Sequence, residues 1–330
     1  MKKYLLVLFT MFIVCALAGA QEVSDAQQEV ETAEEIKKSF QNHLLTMAGF
    51  SALQTDEKDF ILSPSANLQF MHIKNEGVES KQPDAIVIGA GYSMDHYTQG
   101  LGPDEVDTFH NINLMGNVVA GKNSFIAMVA SGGEVPFSSI KTLTAGLMYT
   151  RQLVKTDNLS FTAGLGVMAG DLGLKIKNYK IYCIPLPLFS LNYQNDIFAG
   201  GISVMGLPTL SLTLFPKSMF RFKGNCGISG FKSIRNLTFD TALVCYPLLN
   251  TKAKELLSIS AGVMNSGKTA LLKDKTKYAY QYYSVYGEVS ATLVSLRAGY
   301  NFDGKMYCND DETGDMYKGM FATVQAMFMF

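Results

Sequence analysis

The ten residues Phe321 to Phe330 read F-A-T-V-Q-A-M-F-M-F. Ala322, Val324, Ala326, Phe328 and Phe330 share one parity and are all apolar, whereas Thr323 and Gln325 share the other with Met327 and Met329. Successive side chains of a strand point to opposite faces, so this stretch reads as a strand with one apolar and one mixed face. Alone it fits the edge of a soluble sandwich as well as the wall of a membrane barrel. The rest of the chain separates the two.

The N-terminus reads as a secretory signal over residues 1–20. Lys2 and Lys3 supply the positive start, Tyr4 to Leu17 a short apolar run, and Ala18-Gly19-Ala20 a small-residue cleavage site. Cys15 lies inside the run, and the bulky Val14 before it argues against a lipoprotein signal. The expectation is an exported protein. Residues 21–58 read as a periplasmic lead: Ile36, Phe40, Leu44 and Met47 recur near helical spacing, which predicts an amphipathic helix over about Thr32 to Met47.

Composition narrows the class further. The 330-residue chain has a formal net charge of -1, so no basic excess points to nucleic acid. Charged residues make up 17%, against roughly 25% in soluble domains. After the signal there is still no run of about 20 apolar residues, the length that a spanning helix requires. A chain that is apolar overall but nowhere continuously so fits a barrel, in which lipid-facing and lumen-facing residues alternate. With no Trp, the 16 Tyr and 21 Phe must supply any aromatic girdle.

Period-two segments recur from Asp59 onward. Phe161, Ala163, Leu165 and Val167 alternate with Thr162, Gly164 and Gly166; Leu257, Ile259, Ala261 and Val263 alternate with Ser258, Ser260 and Gly262. About fourteen such segments can be marked, with twelve as the alternative, since single-chain bacterial barrels have even strand numbers. They predict an all-β fold, a single antiparallel transmembrane β-barrel over residues 59–330 behind a short helical lead. The break at 97–107 fits the scheme poorly, because a long loop there falls on the side where turns are short. A tight turn at Thr292-Leu293 sets Glu288 opposite Arg297, both inward, as a lumen ion pair that pins register.

In this setting the closing stretch resembles the terminal strand of bacterial outer-membrane β-barrels, whose assembly machinery recognises a C-terminal aromatic after alternating apolar residues. The resemblance implies an outer-membrane location in a diderm bacterium. It also implies Phe328 and Phe330 as the barrel-closing signal, and membrane lipids and the barrel assembly machinery as partners. It leaves the oligomeric state open. A second, local resemblance covers residues 159–216, where F-T-A-G, Y-C-I-P-L-P-L-F and G-L-P occur in order. This stretch is similar to the C-terminal half of the outer-membrane lipid A palmitoyltransferase. There prolines interrupt the strand ladder, having no N–H to donate, and a lipid chain enters sideways. The resemblance implies a lateral lipid gap at Pro185, Pro187 and Pro208. The family's Asp-Ser dipeptide is missing here, and its barrel has eight strands, so the catalytic set does not carry over.

Other candidate sites are weaker. Asp95-His96 near a strand end, with Ser93 on the same strand, is the best general-base arrangement for a hydrolase or acyltransferase. Asn309 to Asp315 starts like an EF-hand loop, but the twelfth position is Met320, which offers no carboxylate. Ser266-Gly267-Lys268-Thr269 mimics the end of a P-loop without the upstream Gly. Cys183, Cys226, Cys245 and Cys308 permit two disulfides or stay reduced, and no spacing suggests a metal or other cofactor. The sequence thus supports a non-enzymatic outer-membrane barrel that passes or binds a small or lipidic solute, or serves a structural surface role. The alternative is a lipid A acyltransferase or deacylase.

Overall fold

The structure is a computed structural model and describes residues 40–74, 84–101, 104–176, 179–205, 207–228, 237–248, 256–309, 311–316 and 318–330. The signal and residues 21–39 of the lead lie outside the described residues. The strands run β1 Phe40–Gln54, β2 Phe60–Lys74, β3 Ala85–Leu101, β4 Val106–Ala120, β5 Asn123–Gly133 and β6 Leu143–Lys155. There follow β7 Leu159–Ile176, β8 Tyr179–Gln194, β9 Phe198–Val204, β10 Pro208–Leu214, β11 Phe220–Ile228 and β12 Leu237–Cys245. The last are β13 Leu257–Leu271, β14 Lys277–Ala291, β15 Val294–Cys308, β16 Asp311–Asp315 and β17 Met320–Met329.

Each strand pairs antiparallel with the next, and β1 pairs with both β2 and β17, which closes the sheet. Both β16 and β17 lie on β15, so they are two pieces of one stave, and the barrel has sixteen. Over the half that carries the termini every stave is thereby paired on both sides, which is how a β protein satisfies its backbone in hydrocarbon.

Two strands account for the difference from fourteen. The first is β1. Residues 40–47, expected as helix, are strand: Phe40 and Leu44 share one parity and Met47 the other, and backbone pairing with β2 on one side and β17 on the other fixes the extended form. Phe321 to Phe330 accordingly closes on Leu45–Leu53 and not on the stretch after Asp59. The second is β10, which reads as a continuation of β9; the turn at 205–207 separates two strands of only seven residues each. Adding β10 moves every earlier turn to the opposite end of the barrel. The connection between β3 and β4 thereby falls on the long-loop side, and it shrinks to residues 102–105.

Hereafter the end carrying Phe40 and Phe330 is the terminal end, and the opposite end is the far end. Terminal-end turns at 121–122, 156–158, 195–197 and 292–293 are tight. Side-chain parity is consistent around the wall. Outward positions include Leu147, Leu165 and Leu243, exposed by 67%, 71% and 66%. Inward positions are Ser, Asn, Gly, charged and, toward the far end, aromatic. Asn111, Asn113 and Asn117 of β4 face inward, opposite Gly132, Ala130 and Ile126 of β5. A lipid-facing exterior and a mixed interior follow directly from the period-two pattern.

Candidate functional site: an occluded lumen and a low wall

The far half of the lumen is packed. Leu53, Ile61, Tyr97, Phe109, Ala270, Leu272, Tyr282, Met316 and Phe321 form one buried cluster. Tyr97 meets Phe109 edge-on at 5.4 Å and tilts against Tyr280 at 5.9 Å. Gly299 makes room for Phe321: a Cβ there would lie 2.5 Å from Cε1 of that ring and 2.2 Å from the Val285 carbonyl.

An ion pair crosses the lumen within this plug. Lys268 on β13 donates from Nζ to Asp95 Oδ1 on β3 at 2.6 Å and to Ser63 Oγ on β2 at 2.8 Å. Ser63 Oγ also donates to Asp95. The Asp95 side chain is 8% exposed and that of Lys268 23%. Nearby, the tip of β5 docks on the free edge of β13. Glu134 N donates to Leu271 O at 2.9 Å, and Lys273 N to Glu134 Oε2 at 2.7 Å. Gly133 permits the approach, with φ at 134° and a would-be Cβ only 2.8 Å from Leu271 O. At the far end, then, β13 through β17 and β1 through β5 make a smaller ring that leaves out β6–β12.

Closer to the terminal end the lumen is charged. Arg297 Nε donates to Glu288 Oε2 at 2.7 Å and Nη1 to Asp240 Oδ2 at 3.2 Å, while its guanidinium stacks 4.3 Å from the Tyr286 ring centre. Glu288 and Arg297 are opposite one another across the 292–293 turn. Arg221 stacks on Tyr246 at 4.1 Å, and Lys223 donates to the Tyr246 hydroxyl at 2.7 Å. Between the two charged levels lies a cavity of about 320 Å³ lined by Ser51, Ser266, Ser295, Thr323 and Gln325 with Lys268 and Arg297.

The wall is uneven. β9 and β10 have seven residues each, β11 and β12 nine each, where a strand that crosses the membrane takes about 9–11. On one side, β8 pairs with β9 only from Phe189 to Gln194, so its Tyr179–Leu188 half has no partner there among the described residues. On the other, β13 pairs with β12 only up to Asn265. Asn265 caps that junction, accepting from Phe239 N and donating to Leu237 O. Among the described residues a notch thus opens above β9–β12, between β8 and β13.

Pro185 and Pro187 border this notch. Gln194 N donates toward β7, to Asn158 O, and Asn195 N toward β9, to Phe198 O. Because residues of a strand alternate between their two neighbours, odd-numbered residues of β8 face β9. Both prolines therefore direct their missing donors at the unpaired edge, leaving the β7 ladder intact up to Cys183. Pro208 starts β10 on the rim of the low wall. The lumen face beside the notch is apolar: Leu186 and Leu188 are buried, and Leu188 lies against Gly166 next to Met148.

The catalytic candidates do not assemble. Asp95 and Ser93 face the lumen, whereas His96, the next residue, points outward, where Nδ1 is 3.3 Å from Thr108 Oγ1 and 3.8 Å from Asp107. The EF-like loop is largely strand β16, and its Glu312 and Asp315 pair with Lys305 at 2.9 and 2.6 Å. Cys183, Cys226, Cys245 and Cys308 are unbridged. Lys268, set aside with the P-loop-like stretch, is the residue that sequence reasoning missed; its partner is 173 positions away.

A closed antiparallel barrel with an apolar exterior and an even number of staves defines the class: a membrane-spanning β-barrel of the outer-membrane type. No family model and no curated protein matches the chain. Among solved structures it is similar to OccAB3 of Acinetobacter baumannii, at 9% identity over 88% of this chain and 99% of that one, with a TM-score of 0.38. It is similar also to the outer membrane protein OpdK of Pseudomonas aeruginosa, at 8% over 88% and 99%, TM-score 0.36. A third is BamA of Haemophilus ducreyi lacking POTRA domains 1–3, at 11% over 88% and 71%, TM-score 0.41.

Proposed function

We propose that this outer-membrane barrel passes or binds an apolar or amphiphilic solute, which moves between lumen and bilayer through the notch above β9–β12. It is not a straight pore. The observation that carries this reading is the pair of unequal free edges, β8 from Tyr179 to Leu188 and β13 beyond Asn265, standing over a wall of seven- and nine-residue strands. The plug of Tyr97, Phe109, Tyr282 and Phe321 supports it by obstructing the far end. The buried Leu186 and Leu188 make the lumen wall beside the notch an apolar strip.

In this reading the chain is exported by its first twenty residues, and the barrel assembly machinery inserts it with the terminal end toward the periplasm, where tight turns belong. Pro185, Pro187 and Pro208 keep the gap from sealing, since an edge without donors does not recruit another strand. Uptake of a fluorescent single-chain fatty acid by protein-bearing vesicles tests the path. We expect uptake above empty vesicles with little steady ion conductance, and loss of uptake when Leu186→Trp narrows the strip. A large steady conductance, with uptake indifferent to Leu186→Trp in a folded barrel, overturns the proposal.

A further inference from the structure

The outer wall of β2–β7 is indented. Over these strands lies a concavity of about 760 Å³ on the lipid side, almost wholly apolar. Its floor is built from small residues that lie next to one another across the sheet: Ala90, Gly116, Ala127 and Ala145. Gly116 pairs with Ala127, which pairs in turn with Leu147. Ile88 and Leu147, both well exposed, form its flanks.

Below this groove, toward the terminal end, the character of the wall changes in two steps. Phe125 and Tyr149 come first, two residues on, with ring centres 4.9 Å apart and the Tyr149 hydroxyl donating to Asn123 Oδ1 at 2.8 Å. Aromatic residues with one wet end sit at headgroup depth. Two residues further lies Arg151, opposite Asn123, beside Lys122 of the 121–122 turn, whose carbonyl accepts from Gln152 N at 2.7 Å. Both cations are exposed, and no carboxylate pairs with either among the described residues. Asp84, which accepts from Gly121 N beside Lys122, is occupied by Lys74 at 2.6 Å. From Leu147 to Arg151 is four residues, ~13 Å along the strand at ~3.3 Å each. That is a span which joins a phosphate to the upper part of its own acyl chain.

We infer that this face holds one anionic phospholipid of the periplasmic leaflet, its phosphate on Lys122 and Arg151 and an acyl chain in the Ala90–Gly116–Ala127–Ala145 groove. The inference relies on the orientation proposed above but not on the notch, which lies on another part of the wall. Groove and charge are independent features that meet at the spacing one lipid molecule requires. A smooth barrel wall offers lipid neither a recess nor two unpaired cations beneath it.

Native mass spectrometry of the delipidated barrel with phosphatidylglycerol tests the assignment, with phosphatidylethanolamine as the zwitterionic comparison. We expect one retained phosphatidylglycerol beyond the non-specific background. We expect retention to fall about ten-fold in Lys122→Gln/Arg151→Gln, because basic residues near an anionic surface contribute cooperatively to binding. Ala127→Phe, or the milder Ala145→Ile, fills the floor and lowers retention of both lipids. Heat-modifiable migration on gels confirms that each variant is folded. Equal retention by wild type and both classes of variant, or no preference for phosphatidylglycerol, overturns the inference. Fatty-acid uptake stays at the wild-type level in the Lys122/Arg151 variant, which separates this test from that of the notch.

Discussion

Replacing Lys268 with Met removes the only cation that reaches Asp95 across the lumen among the described residues, and leaves a carboxylate whose side chain is 8% exposed. Ser63 stays as a single hydrogen-bond partner. Breaking a buried pair by deleting one member costs ~3–5 kcal/mol, because the other charge is stranded in a medium of low polarity. The Lys268 side chain is itself 23% exposed, so the lower part of that range, ~3 kcal/mol, is the expected loss. Removing both charges, in Asp95→Asn/Lys268→Met, strands nothing and should restore most of it. The assay is reversible denaturant unfolding of the barrel in detergent, followed by tyrosine fluorescence and by gel migration. A cost below ~1 kcal/mol for the single variant, or a double variant no better than the single, refutes the view that this pair is a buried tie across the barrel. Conductance should stay low in the double variant, since Tyr97, Phe109 and Phe321 still fill the plug.

Two further outcomes follow from local geometry. At the terminal end the Lys74 ammonium, and next the Gly121 N–H, hold the Asp84 carboxyl below its ordinary value of 3.8. A depressed carboxylate stabilises the fold above its unfolded pKa and loses that contribution as pH falls through the lower folded value. Asp84→Asn should therefore lower the melting temperature at pH 6 and leave it nearly unchanged at the acid limit; equal effects at both pH values argue against the linkage. At the clasp, Gly133→Val places a Cβ into Leu271 O at a φ that β-branched residues avoid. Strain of this kind costs ~1–3 kcal/mol, and it should raise amide exchange at Glu134 and Lys273 selectively. Unchanged exchange there shows that β5 does not depend on this contact.

Much of the wall was legible in the sequence because alternation is a local property. The parity assigned to Phe321–Phe330 is the one observed: Ala326 faces outward and Phe321 inward, opposite Gly299. The strand count fell short where local signals conflict. Phe40, Leu44 and Met47 follow a helical repeat, with Met47 breaking the parity of the other two, and only pairing with both β2 and β17 decides for strand. β9 and β10 are too short to show alternation on their own. Glu288 and Arg297 could be paired on paper because a tight hairpin fixes register. Lys268 and Asp95 could not, since no local rule links side chains that meet across a lumen. The recess on the outer face was equally invisible, for its floor is assembled from small residues on four different strands.

The low wall acts on its surroundings as well as on the lumen. Seven residues at ~3.3 Å give β9 and β10 a length of ~23 Å, and a tilt of ~40° reduces their height to ~18 Å. The apolar band of an outer-membrane barrel is ~25 Å tall. A bilayer meeting a shorter hydrophobic wall thins to match it, at a fraction of a kcal/mol per Å. Lipids beside β9 and β10 are thus drawn closer to the opposite leaflet, and the barrel imposes a fixed dimple on its membrane along those two staves.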